Sequence, residues 1–362
     1  MEELLNSEAD MLGINSFLES AEKFTNNNFE NISIKELFYD SLSGNIGKSL
    51  RHIGLVDIFS RELTSVMSII VSVLAVIIIH SILKAVIDSL QNKSASQVAY
   101  FAQYLIITTL IINSFVSILE LTKISIQNIT NFMNSLLPLM TTLMLTTGMI
   151  TTTSMIEPIL LFMINFIGIF INNFIIPFLL VSITVSIISN ISNEVSLGRL
   201  SKFLKSSIIW ILGIVLTIFV TSLSLEGTLT SSVDGVTAKT AKAAVSDFIP
   251  IVGKIMGDTV DSVIGCGNIL KNSVGIVGVI IILGIVFVPI IKVSIFWISF
   301  KLTSAVSEVI ADARIVKLIE ELADSYKIIL AILFSVSIMF IIGITIVIKM
   351  TNSVIMYRWK YD

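Results

Sequence analysis

The chain has 362 residues, 54% hydrophobic and only 14% charged, with a mean hydropathy of +0.95. Soluble domains carry about 25% charged residues, so the surplus apolar surface must face lipid, which argues against a soluble enzyme. A net charge of −3 offers no basic surface to nucleic acid. One cysteine, Cys266, and two histidines, His52 and His80, supply neither an intramolecular disulfide nor a histidine-built metal centre, so no cofactor is expected.

Residues 1–65 hold eleven of the 26 acidic and five of the 23 basic residues and no long apolar run. This reads as a soluble acidic region. Leu4, Leu5, Met11, Leu12, Phe17 and Leu18, then Ile34, Leu37, Phe38 and Leu42, recur at helical spacing and predict short amphipathic helices packing on themselves. The first residues lack the basic start, apolar core and small-residue cleavage site of a secretory signal.

Six later stretches are long and apolar enough to cross about 30 Å of hydrocarbon as helices: 66–83, 98–119, 158–189, 207–225, 274–300 and 328–348. Lipid leaves backbone groups no water, and the runs lack the alternation of barrel strands, so helices are the spanning elements. The third and fifth exceed one span and contain breakers, Asn172, Asn173 and Pro177 in one and Gly284 and Pro289 in the other. Each is read as one broken helix or two short ones.

The prolines are patterned. Pro138 and Pro177 are 39 residues apart, as are Pro250 and Pro289, and the two pairs are offset by 112 residues. Val181, Ser182 and Ile183 match Val293, Ser294 and Ile295, with an echo at Val71, Ser72 and Val73. The expected fold is therefore an all-α polytopic membrane protein of tandem parallel two-span repeats with broken helices and amphipathic or re-entrant segments. The repeats run over 66–154, 155–266 and 267–350, between the N-terminal region and a tail at 351–362. Pro138, Pro177, Pro250 and Pro289 are candidate helix-break or gating positions.

Parallel repeats require all charged linkers on one side of the membrane. Lys84 and Lys93; Arg199, Lys202 and Lys205; and Lys301, Arg314, Lys317 and Lys327 place that side in the cytoplasm by the positive-inside rule. The N-terminal region and amphipathic segments would then lie outside, whereas Lys349, Arg358 and Lys360 argue the other way for the tail.

The segment 125–150 is uncharged and rich in Asn, Thr and Met, which suits a re-entrant or pore-edge position or a connector lying on the surface. In 226–273, a turn is predicted at Asp234 and Gly235 and an amphipathic helix from Val236 to Pro250, with Lys239 and Lys242 between its apolar positions. Gly253 and Gly257 supply a weak G-x-x-x-G surface. Asp234, Lys239, Lys242, Gly253 and Gly257 form a candidate assembly surface. Within or near the spans, Asn113, Asn165, Asn172 and Asn173 are candidate intramembrane polar residues. His80, Glu157 and Lys292 also fall there, where a charge costs about 2.5–3.5 kcal/mol. Glu157 and Lys292 lie near span ends and are read as snorkelling. Phosphate-loop, zinc-protease and nucleophile-elbow motifs are missing, so ATP hydrolysis is not expected of this chain.

One combination of residues is specific enough to carry a likeness. Glu226 and Gly227; Asp234, Gly235 and Val236; Lys239 and Lys242; Phe248, Ile249, Pro250, Ile251, Val252 and Gly253; and Leu270, Lys271, Asn272, Ser273, Val274 and Gly275 resemble the stage III sporulation protein AE family of endospore-forming bacteria, over roughly residues 60–350. The resemblance implies a multi-pass protein of the mother-cell membrane surrounding the forespore, a non-enzymatic subunit of a secretion-like channel complex. It further implies ring-forming proteins and a separate secretion-type ATPase as partners, besides the lipid bilayer, and leaves association with other copies of the chain open. It carries over no catalytic residues. Family members usually begin with a signal sequence, and one removed from a precursor would reconcile the family with this N-terminus. A self-sufficient secondary transporter with a midplane site between broken helices is the alternative, resting on Pro177, Pro289 and the asparagines.

Overall fold

The computed structural model describes residues 12–25, 34–43, 55–89, 93–191, 197–248 and 252–359; side chains at 25, 55–58, 191, 226–263 and 351–359, and several between 80 and 99, lie outside that description. Among the described residues every regular element is helical, as the apolar periodicity demands.

Helices α1 (Ile14–Thr25) and α2 (Ile34–Ser43) precede α3 (Leu55–Ser89) and α4 (Lys93–Thr146). Then come α5 (Ile150–Phe170), a π turn (Ile171–Ile175) and α6 (Ile176–Ile191), followed by α7 (Gly198–Phe248), α8 (Val252–Ser307) and α9 (Ala313–Trp359). Six of these helical paths are long and apolar enough to cross a bilayer, among them Phe59–Leu83, Ile150–Asn190 and Ala313–Met350. The protein is an all-helical, multi-pass membrane protein.

The helices are longer and less interrupted than the expected spans. α4 runs 54 residues and α8 56, about 80 Å each at 1.5 Å per residue. Pro138 lies inside α4 and Pro289 inside α8 without ending either, because a proline removes one backbone hydrogen bond and neighbouring helices hold the rest in place. The segment 125–150 is not a separate element: it continues α4 to Thr146. There the chain turns on Gly148, whose φ of +83° suits glycine, and the Met149 N–H donates to the Met144 carbonyl at 3.2 Å, a glycine-based helix stop. Likewise the segment after Val236 continues α7 to Phe248 rather than forming a separate helix. Pro250 lies outside the described residues.

The third path departs from regular α geometry where Asn172 and Asn173 precede Pro177. Over Ile171–Ile175 the helix widens to a π turn, the Ile176 N–H reaching the Ile171 carbonyl. The Pro177 ring lacks a donor for the carbonyl four residues back, that of Asn173, and the wider turn absorbs the mismatch. The path stays continuous.

Helix ends that flank the three charged linkers come together. The Tyr104 hydroxyl donates to the Ile187 carbonyl (2.7 Å) and the Tyr100 hydroxyl to that of Asn190 (3.2 Å), tying the start of α4 to the end of α6. The Arg314 guanidinium lies 4.2 Å from the centre of the Tyr100 ring, which brings in α9. Asp312 caps α9 by accepting the Arg314 N–H at 3.0 Å. Ser182 and Ser201 exchange hydroxyl-to-carbonyl bonds at 3.3 and 3.1 Å, clamping α6 to α7.

At the far end, α1 and α2 do not pack merely on each other. Phe17 and Phe24 each set their rings 6.0 Å from Phe132 on α4, and Ile34, Leu37 and Phe38 are buried. The N-terminal region thus joins the main core. Glycines allow close helix crossings: a Cβ at Gly278 of α8 would meet Leu136 Cδ2 of α4 at 2.8 Å.

Candidate functional site

Along α4, Glu120, Lys123, Gln127, Asn131 and Asn134 recur every three or four residues, which places them on one helical face. Opposite, Asn165 ends one turn of α5 and Asn172 and Asn173 lie in the π turn. Between these faces is a cleft of about 410 Å³, lined by residues that include Glu120, Lys123, Gln127, Asn131, Asn165 and Asn172. Because Asn165, Asn172 and Asn173 occupy the middle of the Ile150–Asn190 span, the packed stretch 120–134 of α4 stands at the same level.

Two contacts define the cleft floor. Gly168 lets α5 approach α4 so closely that a Cβ there would lie 2.6 Å from Thr130 Oγ1. The Asn134 and Asn165 carboxamides pair in both directions, at 3.0 and 3.1 Å, and Asn165 Nδ2 also donates to the Leu161 carbonyl at 2.8 Å. Asn172 Oδ1, by contrast, is shielded and has no hydrogen-bond partner, although a carboxamide oxygen accepts two bonds when satisfied. Glu120, Gln127, Asn131, Asn165 and Asn173 are exposed.

Beside the cleft runs an aromatic ridge. Phe162, Phe166, Phe170, Phe174 and Phe178 stack successively with ring centres 5.9, 5.5, 5.2 and 5.7 Å apart. The spacing of four carries the row straight through the π turn, and Phe162, Phe166 and Phe174 remain exposed.

The predicted polar residues therefore separate. Asn165, Asn172 and Asn173 come together, whereas Asn113 is exposed on α4 outside the cleft. Pro177 is one turn past Asn173, Pro138 is exposed on α4 and Pro289 is buried in α8. Asp234, Lys239, Lys242, Gly253 and Gly257 lie on α7 and α8 where side chains are outside the described residues. The α4 stripe was the missed half of the site, although its periodicity is legible in the sequence.

Three further charged sites were also not legible. Lys292 has a partner that its position near a span end did not announce: its Nζ lies 3.1 Å from Glu62 Oε2 of α3. Lys205 Nζ donates to the Glu321 carbonyl at 2.7 Å, and Asn190 Nδ2 to Glu321 Oε2 at 3.3 Å. Lys271 is fully buried, its Nζ donating to the Ile348 carbonyl at 3.2 Å. Among the described residues no three His, Cys, Asp or Glu side chains gather as metal ligands. At the cleft itself the interactions formed within the chain include the hydrogen bonds of Asn134 and Asn165.

Comparison with known proteins accords with a sporulation role. Residues 32–351 match the family model for stage III sporulation protein AE. A curated relative, the stage III sporulation protein AE of Bacillus subtilis (strain 168), is 30% identical over 277 residues, covering 76% of this chain and 69% of that protein. No solved structure matches. With nearly the whole helical bundle inside the matched region, the chain belongs to the stage III sporulation protein AE family.

Proposed function

We propose that the chain is a non-enzymatic membrane subunit of a secretion-like channel complex between mother cell and forespore, built into the mother-cell membrane around the forespore. Its expected partners are other stage III sporulation proteins, including ring-forming subunits and a secretion-type ATPase. Three two-span units, 66–154, 155–266 and 267–350, would present their charged linkers to the cytoplasm.

The observation that carries this reading is the exposed polar face of the α4–α5 cleft. Glu120, Gln127, Asn131, Asn165 and Asn173 are open on the outside of a bundle whose other outward side chains include Ile, Leu, Val and Phe. Polar groups at membrane depth face protein or water rather than acyl chains, so this surface belongs to an assembly.

The test is isolation of the tagged full chain from membranes of sporulating cells in mild detergent, with mass spectrometry of what accompanies it. Other sporulation-stage membrane proteins are expected in stoichiometric amounts. A chain that purifies alone and moves solute unaided across reconstituted vesicles refutes the reading.

A further inference from the structure

The chain satisfies the polar groups of the cleft only in part. Asn134 and Asn165 complete each other, while Asn172 Oδ1 is shielded without a partner. Among the described residues neither Glu120 nor Lys123 takes part in an ion pair. An uncovered carboxylate at this depth costs about 2.5–3.5 kcal/mol, so the stripe requires a polar cover. The adjacent phenylalanine ridge, with Phe162 65% exposed, adds the rigid aromatic border found around well-packed contacts.

The stripe also specifies its cover. A carboxamide carries both donor and acceptor and complements another carboxamide, as Asn134 and Asn165 demonstrate within the chain. Glu120 and Lys123 put opposite charges one turn apart. A surface of this kind is its own complement, whereas a partner of single charge would leave one member of the pair buried and unmatched.

We propose that the α4 stripe binds the α4 stripe of a second copy of this chain, the two related by a twofold axis along the membrane normal. Such an axis makes the same patch meet itself and keeps every residue at the depth of its counterpart. Gln127 and Asn131 then face their own copies. Glu120 of each copy meets Lys123 of the other, across a rise of three residues, about 4.5 Å, which a lysine side chain spans. The proposal rests on the reading of the chain as an assembly subunit and names the neighbour at this face.

The experiment uses the full chain in native membranes with Cys266→Ser and single cysteines introduced at Gln127 or Asn131, and at Trp210 of α7, 72% exposed, as a control. Oxidation is expected to give a disulfide-linked homodimer from Gln127→Cys or Asn131→Cys and none from Trp210→Cys. In the cross-linking background, Glu120→Lys should lower dimer yield at least about tenfold by opposing like charges. Adding Lys123→Glu should restore it, because the swapped pair is again self-complementary. Absence of homodimer at both positions, a cross-link only to a different protein, or insensitivity to the charge swap overturns the proposal. A cross-link to a different protein leaves the subunit reading standing, so the two fail separately.

Discussion

Gly168→Ala tests the contact that holds α5 against α4. The new Cβ would meet Thr130 Oγ1 at 2.6 Å, Cγ2 at 3.0 Å and Cβ at 3.3 Å, whereas relaxed carbon contacts lie at about 3.5–4.0 Å. Thr130 cannot simply turn away. It is β-branched and stiff, only 9% exposed, and its hydroxyl donates to the Ile126 carbonyl at 2.9 Å. Overpacking of this kind costs about 1–3 kcal/mol, opposed by up to about 1 kcal/mol of helix propensity gained by replacing glycine. The expected result is a net loss of about 1–2 kcal/mol. Thr130→Ala removes the two nearest atoms, so the double variant should recover most of that loss, with a coupling of about 1–2 kcal/mol. Reversible denaturation of the full chain in mixed detergent micelles, followed by tryptophan fluorescence and circular dichroism, measures all four corners of the cycle. A Gly168→Ala protein as stable as the parent, or equally destabilised in both Thr130 backgrounds, refutes the close approach.

Lys271→Met is expected to leave the fold unchanged or stabilise it by about 1 kcal/mol, because the buried ammonium gains only one carbonyl bond against its desolvation; Lys271→Ala should instead lose about 2 kcal/mol to the cavity. The same denaturation assay separates them, and a methionine variant less stable than the alanine one contradicts this account. For the Glu62–Lys292 pair, Glu62→Gln and Lys292→Met should each cost about 1–3 kcal/mol by leaving the other group uncompensated, and the double variant less than their sum. Strict additivity would show that the two groups do not interact.

Much of this protein is local and was legible in the chain. Runs such as 328–348 are strongly apolar and carry no charged residue, which alone demands a lipid-crossing helix. The Glu226–Gly275 segment carried the family likeness that the comparisons bear out. Asn172, Asn173 and Pro177 signalled a departure from regular helix, found as the π turn, because each acts on its own backbone. Pro138 and Pro289 did not end their helices, since the same residue type in a well-packed span loses only one hydrogen bond.

What periodicity could not supply was depth and partnership. A helix of 54 residues has more apolar length than a bilayer can hold, so α4 alone does not reveal which of its turns stand beside the asparagines of α5. Packing at Gly168 and Thr130 chooses 120–134. Asn134 with Asn165, Asn190 with Glu321, and Glu62 with Lys292 join residues remote in the chain. Residue spacing records which side chains share a face, but the energy of a polar group in a membrane depends on what stands opposite it, and that neighbour exists only once the helices have packed.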